Sequence, residues 1–273
     1  MKKLLTTREI QLEQLFILKD VINFLEENKL DYSIAGGTML GAIRHNGFIP
    51  WDDDIDILMP RHDFEFFIDN YKDSDSLYLA SYKNGKINLP FAKVFYKKVK
   101  ISQRNYKKTD NGFLWIDIFP MDGIEEDNKK SDVLFRKINF LKKCIGLSNT
   151  KISAILREWR EPKKIIVKSF MKPFVFIIPK SFFIKRINYY CKNCDYDNSK
   201  YVGNVAWALS KKEKFLKEKI SPKKKVTFED IMVNGFEEYD YYLTQLYGDY
   251  MKLPPLDKRE NHEYEAWIDY EKQ

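Results

Sequence analysis

Four aspartates occupy five positions at Asp52-Asp53-Asp54-Ile55-Asp56, and this run limits what the chain can fold into more than any other stretch. Like charges at that density repel, and burying them without compensation is costly, so a fold keeps them only beside a counter-charge. A divalent cation is the simplest one. Ile55, Ile57 and Met59 alternate with Asp54, Asp56 and Leu58, a period of two that reads as a short strand. Asp54 and Asp56 therefore share one face, roughly 6.5 Å apart along the strand, where their carboxylates can converge on one ion or on a pair about 4 Å apart. Asp53 should point the other way, and Asp52, directly after Pro50-Trp51 where the chain is still turning, is a secondary candidate. Hard oxygen ligands with no neighbouring Cys or metal-spaced His favour Mg2+ or Mn2+ over zinc.

Upstream, Tyr32-Ser33-Ile34-Ala35 reads as a strand running into Gly36-Gly37, followed by a helix from Thr38 to Arg44. Two glycines allow close approach of the backbone to a ligand, and the helix offers N–H groups and a positive dipole end to a phosphate. Neither GxxxxGK[ST] nor GxGxxG is present. A third carboxylate, Asp117, lies within the apolar run Phe113-Leu114-Trp115-Ile116-Asp117-Ile118-Phe119-Pro120 and needs a partner there, either a cation shared with Asp54 and Asp56 or a Lys or Arg in the core. Arg44 and Lys93, the latter on a strand between the two acid-bearing strands, are candidates for a phosphate contact; the alternative is an ion pair with the aspartates.

Gly-Gly, then Asp-x-Asp on the next strand, then an acid on a later strand resembles the nucleotidyltransferase superfamily. The string from Gly36-Gly37-Thr38-Met39-Leu40-Gly41 through Arg44 to Trp51-Asp52-Asp53-Asp54-Ile55-Asp56 is similar to the signature of the LicD family, which includes fukutin-related transferases. Phe91-Ala92-Lys93-Val94, Trp115-Ile116-Asp117-Ile118-Phe119-Pro120-Met121-Asp122-Gly123, Tyr247-Gly248-Asp249-Tyr250-Met251 and Leu253-Pro254-Pro255 agree with it. The chain departs from the family after Phe228-Glu229, where Ile231-Met232-Val233-Asn234-Gly235 stands in place of a proline-bearing phrase. The resemblance implies transfer of a phospho-alcohol, typically phosphocholine from CDP-choline, with CDP-ribitol or CDP-glycerol as relatives' donors, to a hydroxyl of a cell-surface glycan or teichoic acid. In that reading Asp54, Asp56 and Asp117 bind Mg2+ or Mn2+, Gly36, Gly37, Thr38, Arg44 and Lys93 contact the donor, CMP leaves, and Asp117 also orients or deprotonates the acceptor hydroxyl. The competing class is a nucleotidyltransferase that moves a nucleoside monophosphate to a sugar, protein or RNA; a non-catalytic module is disfavoured by the presence of all three acids.

The net charge of +7 conceals an asymmetry, because Lys129 to Arg186 holds sixteen Lys and Arg against Asp132, Glu158 and Glu161. Within it, residues 163–186 set Phe and Ile between lysines too frequent for a bilayer span, with Pro173 and Pro179 as helix breakers. Such a stretch suits peripheral contact with an anionic membrane, or else a basic helical subdomain whose apolar side is core. Nucleic acid is not expected as a partner. Lys2 and Lys3 precede only Leu4-Leu5, which makes no signal peptide, and three cysteines, with Cys191-x-x-Cys194 as half of a zinc site, suit a reducing compartment. The expected location is the cytoplasm, with possible attachment at the inner face of the membrane. A choline head would need aromatic faces, which Trp115, Trp207 and Tyr239, Tyr241 and Tyr242 could supply.

Thr6 and Glu9 form a capping box for a helix over 7–28 with one broad apolar side, expected to pack behind the first strand. Strands are predicted at 31–35, 54–59, 77–82, 91–96, 99–105 and 113–118, a helix at 61–71, helical structure over 125–195, a mixed segment over 201–247, and a return over the site from Pro254. The fold class is α+β, a small nucleotidyltransferase-like mixed sheet flanked by helices with a basic helical insertion. The organisation is a catalytic core at 1–123, the insertion at 124–200 and a segment at 201–273 that completes the core.

Overall fold

The strand predicted from the acid run lies inside a mixed sheet. In the computed structural model, residues 2–103, 112–149, 169–170, 172–173, 175–208, 211–259 and 264–269 are described. The first half contains β1 (Lys2–Leu4), α1 (Thr7–Glu27), β2 (Ser33–Ile34), α2 (Gly36–His45), β3 (Asp56–Pro60), α3 (Arg61–Asn70), β4 (Leu77–Ala80), β5 (Ala92–Gln103), β6 (Phe113–Ile124) and α4 (Asn128–Asn149). There follow α5 (Lys180–Cys191), β7 (Tyr201–Gly203), β8 (Phe215–Leu216), α6 (Lys217–Ile220), β9 (Lys223–Phe228), β10 (Ile231–Phe236), α7 (Tyr239–Tyr247) and β11 (Tyr264–Asp269).

The main sheet has nine strands in the order β1-β11-β5-β6-β3-β2, with β4 added to β5 and β7-β8 added to β6; β9 and β10 form a separate hairpin. It is mixed because β3 runs parallel to β6 while β5 runs antiparallel to it. The sheet is larger than its predicted strands suggest, since β1, β7, β8 and β11 join it. The runs 91–96 and 99–105 become one strand with an irregularity between Tyr96 and Lys100, and residues 104–105 lie outside the described residues. The first strand shrinks to Ser33 and Ile34 before Gly36 turns the chain into α2.

On β6, Leu114, Ile116 and Ile118 are fully buried on one face, within the same apolar cluster as Ile17, Leu18, Val21 and Leu25 of α1. The Thr6–Glu9 capping box begins that helix, each side chain bonding the other residue's backbone N–H. Thus α1 lies behind β5 and β6, not behind the first strand alone. A second apolar cluster joins Phe135, Ile138 and Ile145 of α4 to Phe183, Ile184 and Ile187 of α5 and to Val205 and Ala206. Pro179 caps α5, as its missing N–H and fixed φ allow at a helix start. Residues 150–168 of the basic stretch lie outside the described residues; nearer α5, Phe176, Ile177 and Phe182 are exposed. No helix among the described residues is long and apolar enough to cross a membrane.

Candidate active site

Strand pairing converts the sequence alternation into a grid. Asp56 of β3 lies beside Asp117 of β6, and Lys93 of β5 lies on the other side of Asp117, which makes one charged row across three strands. Lys93 is between the acid-bearing strands in sequence, but in the sheet it flanks β6 from the side away from β3. Two residues along, Leu58 pairs with Phe119, and the Phe91 ring lies 4.5 Å from that of Phe119, which makes an apolar row. Both rows, with Asp54, Gly36 and Gly37, line one cavity of about 490 Å³. Trp207, Glu213 and Tyr247 also line it.

The acid run is held from behind by amides. Gln14 Nε2 donates to the Asp53 carbonyl at 2.8 Å and to the Trp115 carbonyl at 3.2 Å, while Gln11 Nε2 donates to the Asp52 carbonyl at 2.8 Å. Tyr264 Oη donates to the Asp53 carbonyl at 2.8 Å. Asp53 itself is buried and does not line the cavity. Thr38 Oγ1 accepts the Asp56 N–H at 2.9 Å, so this threonine serves to fix the aspartate's main chain. The Gly36 N–H donates to Tyr242 Oη at 3.0 Å.

The glycine pair answers a steric demand of the carboxylates. Gly36 has φ +54°, and a Cβ there would stand 2.9 Å from Asp56 Oδ2; at Gly37 it would stand 2.6 Å from Asp52 Oδ2. Burial, then the charges of Asp54, Asp117 and Asp52, push the Asp56 carboxyl well above the usual carboxylate range, with Lys93 acting in the opposite direction. Tyr247 is 45% exposed at the rim, yet its hydroxyl end reaches the acids, and burial of that end together with Asp56 and Asp52 raises its pKa.

Asp117 is turned toward Lys93, whose Nζ lies 2.7 Å from Oδ1, and toward Trp115, whose Nε1–H donates to Oδ2 at 3.0 Å. The ammonium approaches Oδ1 off the direction a hydrogen bond needs, so this buried oxygen is ion-paired without being hydrogen-bonded. Among the described residues, no three His, Cys, Asp or Glu side chains are gathered tightly enough to ligate one ion. The donor set nevertheless fits a hard divalent cation: three carboxylates act on Asp56 against one ammonium, and Asp117 Oδ1 retains an unused acceptor direction.

Arg44, at the far end of α2, does not line the cavity. Its Nη1–H donates to the Tyr250 carbonyl at 2.7 Å, and its pKa is lowered by burial and by Arg259. Of the proposed aromatic residues, Trp115, Trp207 and Tyr242 line the cavity; Tyr241 accepts the Leu216 N–H and Tyr239 lies under Lys224. The departing residues Ile231 to Gly235 form β10, the second strand of the β9–β10 hairpin, and at the turn before it Glu229 bonds Arg8 and the Phe48 N–H. Cys191 and Cys194 carry free thiols, the former buried at the end of α5. Sequence reasoning did not single out Gln11, Gln14 or Glu213. Two amides within the apolar stripe of α1 were the available signal for the first pair.

Comparison with known proteins assigns the chain that carries this cavity to a family. Residues 29–145, which carry the glycine pair and all three acids, match the family model described as LicD/FKTN/FKRP, nucleotidyltransferase domain. The lipopolysaccharide cholinephosphotransferase LicD of Haemophilus influenzae (strain ATCC 51907 / DSM 11121 / KW20 / Rd) is 33% identical over 284 residues, covering 98% of this chain and 100% of that protein. An uncharacterized protein of Rickettsia prowazekii (strain Madrid E) is 47% identical over 47 residues, 17% of this chain and 18% of its own length. The chain belongs to the LicD family.

Proposed function

We propose that this chain transfers phosphocholine from CDP-choline to a hydroxyl of a cell-surface glycan, lipopolysaccharide or a teichoic acid precursor, with release of CMP. The observation that carries the reading is the register that sets Asp56 beside Asp117 on a cavity floor, in a chain with a full-length relative named for cholinephosphotransfer. Asp54, Asp56 and Asp117 would hold Mg2+ or Mn2+, which when bound screens the diphosphate and stabilises the charge on departing CMP. Lys93 supplies a fixed positive charge beside Asp117 for the transferred phosphate, and its rigid placement comes from the ion pair and from the Trp115 ring 4.0 Å away. Asp117 is the group that orients the acceptor hydroxyl or takes its proton. Tyr247, its pKa raised, keeps its proton and offers an O–H at the rim of the acid cluster.

The exposed Phe176, Ile177 and Phe182 beside Lys180, Lys185 and Arg186 fit contact with an anionic membrane that carries a lipid-linked acceptor. Salt-sensitive sedimentation with anionic vesicles tests that contact, and its absence would refute it. For the chemistry, CDP-choline, CDP-glycerol and CDP-ribitol are incubated with the protein and Mg2+, and CMP is followed by mass spectrometry. Release of CMP from CDP-choline, lost in Asp117→Asn with the fold intact, is the expected outcome. Consumption of a nucleoside triphosphate with release of pyrophosphate would support instead the nucleotidyl transfer that the family description admits.

A further inference from the structure

We propose that the apolar row of Leu58, Phe119 and Phe91, closed by Trp207 and bordered by Glu213, is the subsite that selects a quaternary ammonium head group over heads bearing N–H or O–H donors. The proposal rests on reading the cavity as a phospho-alcohol site. It names the part of that site that reads the alcohol.

Adjacent rows on a strand face are two residues apart, roughly 6.5 Å. A phosphate held at the charged row Asp56, Asp117 and Lys93 therefore puts its short substituent over a neighbouring row. Two rows are available. On one side stand Asp54 and the single ring of Trp115, which holds the Lys93 ammonium at 4.0 Å, closer than the 5.5 Å from that ammonium to Phe91, and whose indole N–H is committed to Asp117. On the other side the Phe91 and Phe119 rings meet at 4.5 Å, and Trp207 approaches Phe91 at 5.1 Å with the planes inclined by 59°. Inclined rings of this kind present faces and edges to the same volume, the arrangement that surrounds a cation lacking hydrogens to donate.

Trp207 is held in place from both sides of its backbone. Its N–H donates to Asn204 Oδ1 at 3.1 Å, and its carbonyl accepts from Lys142 Nζ at 3.0 Å. The same ammonium reaches the Ala208 carbonyl and lies 4.8 Å from the centre of the Trp207 ring, so a part-buried lysine of α4 fixes the turn and orients the indole it carries. Glu213, from a separate segment, Lys211–Glu213, adds a carboxylate to the lining and acts electrostatically on Lys142. Glu213 can accept from one side of a primary ammonium or a polyol, but the donors turned toward the three rings would remain unpaired, whereas a trimethylammonium head has none to pair.

The test is calorimetric titration of the full chain, with Mg2+ present, by phosphocholine, phosphoethanolamine and CMP. Wild type is expected to bind phosphocholine about tenfold more tightly than phosphoethanolamine. Trp207→Leu should remove about tenfold of the phosphocholine affinity and leave the CMP affinity unchanged, which also reports that the variant is folded. Phe91→Leu, which removes a second ring, should reduce the preference as well and decides the matter if Trp207→Leu does not fold. No preference in wild type, no binding of either phospho-amine, or a preference kept in every folded variant overturns the subsite. Turnover separates the two readings: CMP release from CDP-choline without head-group preference sinks the subsite alone, whereas preference without CMP release sinks the proposed reaction alone.

Discussion

Replacing Gly36 with alanine separates two costs that usually arrive together. Gly36 and Gly85 both have positive φ, +54° and +72°. A Cβ at Gly85 would meet nothing within 4 Å, so Gly85→Ala should cost only the left-handed backbone penalty, about 1–2 kcal/mol. At Gly36 the same penalty is joined by a contact of 2.9 Å with Asp56 Oδ2. The Asp56 main chain cannot relieve this, since its N–H is bonded to Thr38 and its carbonyl to the Ala35 N–H at 3.0 Å. The carboxylate must give way, by a few tenths of an ångström. Misplacement by about 1 Å can cost on the order of 100-fold in rate, so a shift of this size should cost about tenfold. Urea denaturation should show Gly36→Ala somewhat less stable than Gly85→Ala, and CMP release should fall about tenfold in the first and stay at wild type in the second. Equal stability and equal activity of the two variants would refute the claim that the glycine makes room for Asp56.

Lys93→Met should cost roughly 3–5 kcal/mol, because it leaves the Asp117 carboxylate without its ammonium where both side chains are only 13% exposed. Combining it with Asp117→Asn should restore part of that loss in urea melts, and simple additivity would show the pair to be uncoupled. Asp122→Ala should cost a similar amount, about 3–5 kcal/mol, since Arg61 donates to both its oxygens at 2.7 Å. Neither residue lines the cavity, so CMP release per folded molecule should not change. Burial raises the Glu65 carboxyl, but hydrogen bonds from Lys83, Lys192 and Tyr82 outweigh it and bring the pKa down to about 2 from 4.5. Its contribution to stability is complete above about pH 4.5 and disappears as the pH falls toward 2, so Glu65→Gln should lose more stability at pH 6 than at pH 3.

The alternation of acids with apolar residues at 54–59, and of Trp115, Asp117 and Phe119 with leucine and isoleucines, translates directly into the observed cavity floor, because side-chain direction on a strand is set by parity alone. Which strands become neighbours is a tertiary matter. The Asp56–Asp117 pairing was accessible only through the argument that an aspartate in an apolar run needs a partner. Glu213 lies among Lys211, Lys212 and Lys214, where any local reading makes it a solvated face. It reaches the cavity on the short helix Lys211–Glu213 just ahead of β8, a placement set by the pairing of β8 with β7. The glycine pair was legible as a constraint but not in its cause: it accommodates Asp56 and Asp52, and those contacts span a loop that no periodicity describes. Arg44 illustrates the converse, since position near a motif does not determine the direction of a long side chain at the end of a helix.

The clasp on the acid run has a consequence for how the molecule is made. One of its three holders, Tyr264, lies 211 positions after Asp53, and β11, which carries it, also forms part of the sheet beside β5. At ribosomal speeds of about 5–20 residues per second, roughly 10–40 s separate synthesis of the aspartates from synthesis of their last tether. A growing chain thus carries its most strongly repelling segment incompletely held while the intervening residues are added.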